Sequence, residues 1–491
     1  MTSPFSRENT LRWLLAAGVF ALLLVFFSPS WGAFRLWSRV PELSGMIETR
    51  RAMSVLAQIE QPGAPLADEL HRAIQWRLLF PLIGRVLHLP PPAFFGLAYV
   101  GALLVFAFAV ALLRRTGFSW TDTVLACLVL GSATWLFTST GWLGYFDSWL
   151  ALGLLVLAFA GPRWPGWLAC LLVPWVDERF VLAAPLALAC RRVWRPESFD
   201  WKGDLGVPGA LLAGFLAVRL GVLSGRSSAE ATWGGYWASR DYLAAPPARI
   251  ALGGWEGLRA GWIFVGASWL LLRDRSRARL GLTAFLLVTL LLGLATAQDY
   301  GRSMTMLLPA VLLGLLLAGR AMISWLRMAL RAAAALALVL PAHHVMNDAV
   351  VPIHNLQHAL HFVDHPPPIA MAELYELRAI HAMERAEYAR ADADLALAIK
   401  LARDPSSPAR QRGVLAATQG RWSEALTYFS LMAQSAPRNP DAWFMCAQAR
   451  FALGDPAGSA ADFARAASLA PAEWVTRPDV ARFRAKLHPP G

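Results

Sequence analysis

Up to about residue 345 the chain is a succession of apolar runs, most of them long enough to cross a bilayer, separated by short arginine-bearing joints; beyond that point the runs stop. Backbone polar groups inside lipid have no water to bond, so a run of that kind must form a helix that satisfies its own hydrogen bonds. This restricts residues 1–345 to a bundle of membrane helices and leaves the remainder as a polar appendage. Composition agrees, with 56% hydrophobic residues, 22 Trp and only 16% charged residues in 491 positions, more apolar surface than a soluble chain needs.

The net charge of +12 would suggest nucleic acid in a soluble protein. Here most of the excess is Arg in the joints, so it reads as membrane topology, and no nucleic-acid partner is expected. Cys127, Cys170, Cys190 and Cys446 lack metal-ligand spacing; neither disulfide nor zinc is expected, and no metal site is assigned. Leu11 to Phe27, preceded by Arg7, is long enough for a crossing and no small-x-small cleavage site follows, so it is taken as an uncleaved first span.

With Arg7 and Arg12 in the cytoplasm, the first span releases an outer loop over residues 28–92. Spans then run from about Ala93 to Leu113, from Asp122 to Thr140, and from Asp147 back to Arg163. Around Asp177, Glu178 and Arg179 two short half-buried helices fit better than one span carrying three charges at its centre. Further spans near 207–224, 258–272, 280–297, 303–319 and 328–342 bring the expected number to about eleven. Arginine and lysine concentrate at alternate joints, as at Arg114, Arg115, Arg191, Arg192, Arg273, Arg275, Arg277 and Arg279, which sets the orientation. The odd count puts the C-terminal part on the outer side of a bacterial cytoplasmic membrane, in the periplasm where there is one.

The appendage repeats itself. Gly420 and Gly454, Ala425 and Ser459, Phe429 and Phe463, and Pro437 and Pro471 are each 34 residues apart, and Gly413 and Ala447 keep the same register. This resembles the tetratricopeptide repeat, in which small residues let two helices approach and an aromatic fills the gap. A degenerate third copy carries Ala379, Tyr388, Ala391 and Ala398, with a slip before Pro405. The expected organisation is a membrane domain over 1–345, a His-rich interfacial linker over 346–369, repeats over 370–475 and a terminal stretch over 476–491. The repeats imply either a groove for a protein or peptide partner or a cap packed on the body. In the linker, His354, His358, His361 and His365 are spaced 4, 3 and 4 apart and share a helix face; an interfacial polar stripe accounts for them better than a metal site, because no Cys or Glu completes the set.

Polar residues that interrupt apolar runs are the candidates for chemistry. They are Glu42 and Glu48 in the first outer loop, Arg77 near its end, Asp147, the triplet Asp177, Glu178 and Arg179, and Asp299 with Arg302. Each also has a structural reading: Glu48 as an ion pair with Arg50 or Arg51, Asp147 as a helix cap, the triplet as a self-neutralising cluster, and Asp299 with Arg302 as a local pair.

The long first outer loop, the string Gln75-Trp-Arg-Leu-Leu-Phe-Pro-Leu-Ile-Gly-Arg85, Asp147 and Asp-Glu-Arg at 177–179 resemble the GT-C class of integral-membrane glycosyltransferases over roughly residues 1–345. The resemblance implies sugar transfer from a polyprenyl-phosphate-linked donor, with no other cofactor, at the outer face. The first loop has no Asp-x-Asp, only Glu42 and Glu48. The chemistry asks for a carboxylate to take the acceptor proton and for cations to stabilise the departing phosphate. Glu48, then Glu42, are the candidate bases, Asp147 a second carboxylate that orients the acceptor, Arg77, Arg179 and Arg302 the phosphate-binding cations, and Asp177, Glu178 and Asp299 acidic cavity residues. Membrane lipid and a lipid-linked sugar are the expected partners. Alternatives are a non-catalytic membrane-anchored repeat scaffold and a lipid-linked glycan ligase or polymerase, which usually has a larger late outer loop than residues 225–257 provide; no inverted repeat supports a transporter.

Overall fold

The computed structural model describes residues 7–27, 47–64, 74–222, 246–272, 275–295, 299–321, 325–346, 350–353, 355–357 and 368–487. It is almost wholly helical, as the apolar runs require, and it divides into two compact units, a body and a second unit whose described residues are 47–50 and the tail 368–487. Glu42 and the four linker histidines lie outside the described residues, and Glu48 lies in a described helix turn whose side chains are not described.

In the body, α1 is Arg7–Phe26, α2 Ile47–Glu60, α3 Leu79–Val86 and α4 Pro91–Arg115. Next come α5 Trp120–Gly131, α6 Thr134–Gly141, α7 Asp147–Phe159, α8 Trp164–Leu172 and α9 Arg179–Trp194. The rest are α10 Trp201–Gly221, α11 Pro247–Leu258, α12 Trp262–Leu270, α13 Ser276–Ala295, α14 Tyr300–Arg320 and α15 Leu326–Val339. A two-stranded antiparallel hairpin follows, β1 Ala342–Val345 and β2 Val350–Ile353, with His344 opposite Val351.

Among the described residues five helices are long and apolar enough to cross a membrane: α1, α4, α10, α13 and α14. The run expected as one straight span from Asp122 to Thr140 is instead α5 and α6, bent by 70°. Local hydrogen bonds explain the break. The Ser119 hydroxyl accepts from the Asp122 N–H to start α5, and the Trp135 indole donates to Leu130 O at 2.8 Å across the bend. Within α6 the hydroxyls of Thr138, Ser139 and Thr140 donate back to carbonyls one turn earlier, a pattern that loosens a helix. Helix α7 is a shorter apolar helix, and α12 is shorter still because Arg259, with φ of 48°, stops α11 just before it.

The centre of the body is α14, buried along nearly its whole length. Helices α7, α9 and α12 pack on it, and α4 packs on α7. Glycines set two of these approaches: a Cβ at Gly314 would sit 1.8 Å from the Phe264 carbonyl of α12, and one at Gly101 would sit 2.6 Å from Ser148 Oγ. That contact lets Ser148 donate to Ala98 O at 2.8 Å and the Trp149 indole to Leu97 O at 2.7 Å, which pins the start of α7 to α4.

The tail is made of helix hairpins: α16 Pro368–Glu384 with α17 Tyr388–Leu401, α18 Ser406–Thr418 with α19 Trp422–Ser435, and α20 Pro440–Ala452 with α21 Pro456–Leu469. The 34-residue register has a physical basis in their turns. Gly420 and Gly454 adopt φ of 74° and 78°, and Ala386, another 34 residues upstream, adopts 59°. In each copy the following N–H reaches back five residues, Glu387 to Ala382, Arg421 to Ala416 and Asp455 to Arg450, the bond that closes a helix end with a left-handed residue. Buried Ala391, Ala425 and Ser459 mark the close approach, and Leu395, Phe429 and Phe463 fill the gap. The terminal stretch carries one more helix, α22 Pro478–Leu487, whose Val480 and Phe483 are buried with Phe444, Phe463 and Trp474.

Candidate functional site

Three helix N-termini meet in the body, those of α7, α9 and α14, and each brings a charged side chain from its first turn: Asp147, Arg179 and Arg302. Helix N-termini carry partial positive charge. Two arginines added there would repel each other and the helix ends, so the arrangement requires carboxylates. Asp147 is fully buried and takes Arg302 Nε on both oxygens, at 2.9 and 2.7 Å, as well as Arg179 Nη2. Asp177, also buried, accepts Arg179 Nε at 2.9 Å and Nη2 at 2.7 Å, and Arg302 Nη2 at 3.2 Å. Arg77 closes the ring from the stretch before α3, at 3.6 Å from Asp177 and through a two-pronged pair with Glu178 at 3.1 and 3.2 Å.

Six of the residues singled out from the sequence, Arg77, Asp147, Asp177, Glu178, Arg179 and Arg302, are thus brought into one network. Of the other three, Asp299 touches its edge, and the side chains of Glu42 and Glu48 lie outside the described residues. Asp299 Oδ1 accepts the Arg302 N–H at 2.9 Å and caps the first turn of α14, while the Arg302 guanidinium reaches past it to Asp147 and Asp177. Asp299 and Arg302 are therefore joined through backbone, and the side chains serve different partners. Asp147 makes no side-chain cap on α7; both its oxygens are used by guanidiniums. In a low-dielectric interior such charges persist only as a fully paired set, and removal of one member leaves an uncompensated charge at a cost of ~3–5 kcal/mol.

Sequence reasoning missed three members of this neighbourhood. Arg51 on α2 is buried, and its Nε donates to Gly144 O at 3.1 Å. Its guanidinium lies 3.7 Å from the Tyr145 ring centre, and that of Arg302 lies 4.5 Å from the same ring, so Tyr145 bridges two cations. Burial, with Arg302 and Arg77 nearby, pushes the Arg51 guanidinium down to about 10 even though Tyr145 and Asp147 act in the opposite direction. The third is His344 in β1, whose Nε2 lies 2.9 Å from Asp299 Oδ2 and whose ring meets Trp142 edge-on at 3.8 Å. The only signals in the sequence were an Arg three positions after Glu48 and a His pair just after the last apolar run.

Beside the network lies a cavity of about 210 Å³ between α4 and α6, lined by Pro92, Phe95, Gly96, Tyr99, Trp142 and Gly144 among others. Its wall is mostly apolar, and the Tyr99 hydroxyl donates to Thr140 O at 2.6 Å. Gly144, with φ of 81°, forms part of this wall and also presents the carbonyl that holds Arg51. Phe146 stacks on Phe80 at 4.5 Å and meets Phe94 edge-on at 5.5 Å, so the loop between α6 and α7 is held from both sides.

A second buried charge group is structural. Arg259 pairs with Glu256 at 2.9 Å and donates to the carbonyls of Ala337, Leu340 and Pro341, which caps the C-terminus of α15. Among the described residues no group of three or more metal-ligating side chains is present. Comparison with known protein families, with curated proteins and with solved structures returns no significant match.

Proposed function

We propose that the chain is a membrane glycosyltransferase that moves a sugar from a polyprenyl-phosphate donor to an acceptor at the outer face of a bacterial cytoplasmic membrane. The observation that carries this reading is the convergence of Arg77, Asp147, Asp177, Glu178, Arg179 and Arg302 at three helix N-termini, next to a largely apolar cavity. Preorganised cations and helix ends are what a departing phosphate needs, and an apolar recess beside them suits the lipid that bears it. In this reading α5 with α6, and the shorter helices, are broken spans that raise the number of crossings to about eleven, and the tail hairpins form a tetratricopeptide array that recruits an acceptor or a protein partner.

The reaction divides among the residues as follows. A carboxylate takes the proton of the acceptor hydroxyl, its oxygen attacks the anomeric carbon, and the bond from that carbon to the phosphate oxygen breaks. Asp147 is unsuited to the first task because both its oxygens are held by guanidiniums; it orders Arg302 and Arg179 for the leaving phosphate. The base is Glu48, in the first turn of α2, or Glu42. Replacement Asp147→Asn should lower transfer by about a hundredfold or more, measured with reconstituted protein and a labelled donor; unchanged transfer at normal protein level would refute the assignment.

A second reading is a membrane-anchored repeat scaffold, favoured by the way three carboxylates and three guanidiniums satisfy one another. Deletion of 370–491 separates the two: it abolishes a scaffold's phenotype, whereas a transferase retains donor turnover with altered acceptor choice.

A further inference from the structure

The three helices whose N-termini carry the charged network, α7, α9 and α14, pack together, and their C-termini gather at the other end of the body. Arginines close them there. Arg191 donates to Ala160 O at 2.9 Å, and Arg195 to Gly161 O at 3.2 Å, both at the end of α7. Arg320, the last residue of α14, donates to Trp194 O at the end of α9 at 3.4 Å, and its guanidinium lies 3.3 Å from the Trp194 ring centre. Gly319 leaves no room for a Cβ beside the Phe118 ring, so the turn after α4, which follows Arg114 and Arg115, packs on the same end. Arg275, just before α13, and Arg195 both repel the Arg320 charge.

Cations are expected at helix C-termini, but that role occupies one donor of Arg195 and one of Arg320, and a guanidinium has five. Three carboxylates of this end are committed elsewhere: Asp204 to Arg191 and Arg163, Asp200 to Arg163, and Asp122 to Arg327. Among the described residues none of Arg115, Arg195, Arg275 and Arg320 is paired with a carboxylate. If exposed Glu197, and Asp274, which lies outside the described residues, are both set against these four guanidiniums, two positive charges remain in excess. Burial, and then the charges of Arg191 and Arg115, hold the Arg195 guanidinium below its ordinary value, as befits a cation short of counter-ions.

Apolar surface lies beside this cluster. Helix α12 runs parallel to α14, since Gly261 faces Val311 and Gly314 faces Phe264, so Leu270 at the end of α12 stands level with Arg320. Leu270 is 62% exposed and Trp269 38%, and the Arg279 guanidinium lies 3.4 Å from the Trp269 ring centre. Two candidate spans, α4 and α14, end at this level, at Arg115 and Arg320. Arginine stacked on tryptophan at the end of a span belongs at the height of lipid head groups.

We propose that this end of the body binds an acidic phospholipid, its phosphate held between Arg195 and Arg320 beside Trp194 and its acyl chains laid along Trp269 and Leu270. Basic recesses between the ends of membrane helices recognise anionic head groups, and stacking on Trp194 fixes the plane in which Arg320 offers its remaining donors. The lipid is the counter-ion that the cluster lacks, and it ties the ends of α7, α9 and α14 together as Asp147 and Asp177 tie their beginnings. The site does not depend on the reaction proposed above.

The test is native mass spectrometry of the full chain in detergent, titrated with phosphatidylglycerol, and with phosphatidylcholine and glycerol 3-phosphate as parallel probes. Phosphatidylglycerol should bind most tightly, and Arg195→Gln with Arg320→Gln should weaken it by about tenfold or more. Arg192→Gln is the control, because that guanidinium lies over Trp201 and Phe199 instead; it should leave the affinity unchanged. Leu270→Ser should weaken phosphatidylglycerol without changing weak binding of glycerol 3-phosphate. Equal affinity of wild type and the double variant, at matched thermal midpoints, overturns the site, and so does an equal loss in Arg192→Gln and in Arg320→Gln alone, which would mean a diffuse field. If the double variant does not fold, exposed Arg275→Glu takes its place, and an unaltered affinity there overturns the cluster. Phosphatidylcholine binding as well as phosphatidylglycerol overturns the role of charge, and glycerol 3-phosphate binding as well as the lipid overturns the lipid in favour of a soluble anion.

Discussion

At the scale of single residues, Ala386 shows how a repeat can decay while its geometry persists. It stands where the other two copies place Gly420 and Gly454, and it adopts the same left-handed backbone, with φ of 59° beside 74° and 78°. An L-residue with a Cβ is strained there by roughly 1 kcal/mol. Ala386→Gly is therefore expected to stabilise the first hairpin by about that amount, read as slower hydrogen exchange across α16 and α17 in the full chain; a faster exchange would mean that the turn does not carry the strain. The same comparison tells what was legible. The glycines at 420 and 454 announced their turns because glycine is the residue that tolerates positive φ. Ala386 carried no such mark, and only the coordinates place it in register. The charged candidates behaved similarly: Asp147, Asp177 and Arg302 stood out because lipid makes any charge conspicuous, whereas Arg51 and His344 sit in polar stretches where a charge is ordinary, and their significance comes from what folds against them.

At the scale of elements, the bend between α5 and α6 was hidden because hydropathy averages over a run and is indifferent to its direction. Thr138, Ser139 and Thr140 are tolerated in a span precursor because their hydroxyls find carbonyls one turn back, and the Thr134 hydroxyl finds Glu256 O of α11. In the tail, elements are joined by ion pairs with a pH signature. Arg412 of α18 donates to both oxygens of Asp392 on α17, at 2.8 and 2.9 Å, and this bonding holds the Asp392 carboxyl below its ordinary value despite partial burial. A depressed carboxyl contributes stability that is complete above its unfolded pKa and is lost as pH falls through the folded one. The junction of α17 and α18 should thus be constant in stability from neutrality down to about pH 4 and weaken below it. Asp392→Asn should remove most of that local acid sensitivity, measured by hydrogen exchange corrected for its intrinsic pH dependence; an unchanged acid response would place the sensitivity elsewhere. The pair is one-third exposed on the Asp side, so the effect is modest.

At the scale of the whole molecule, the division into body and tail was visible from hydropathy alone, because lipid and water select different surfaces. The end of the tail was not: residues 476–491 read only as a terminal stretch, yet Val480 and Phe483 of α22 are buried against Phe444, and the Trp474 indole donates to Asp441 at 2.9 Å. Truncation after residue 476 should expose Phe444 and Phe463 and lower the tail's thermal midpoint by several degrees, seen by proteolysis of the full-length and truncated chains; identical protection would show that the last helix is dispensable. The body has its own dependence on completeness. Helix α14 is wrapped by protein along nearly all its length, while the other candidate spans leave most of their surface for lipid. Its seat is created by α7, α9 and α12, and of the charged network only Arg302 belongs to it. The order of synthesis then acquires a meaning: α7, α9 and α12 all precede α14 in the chain, and its place exists only once they have gathered. Arg302 arrives with it as the final counter-charge to Asp147, so a body that fails to assemble never completes its site.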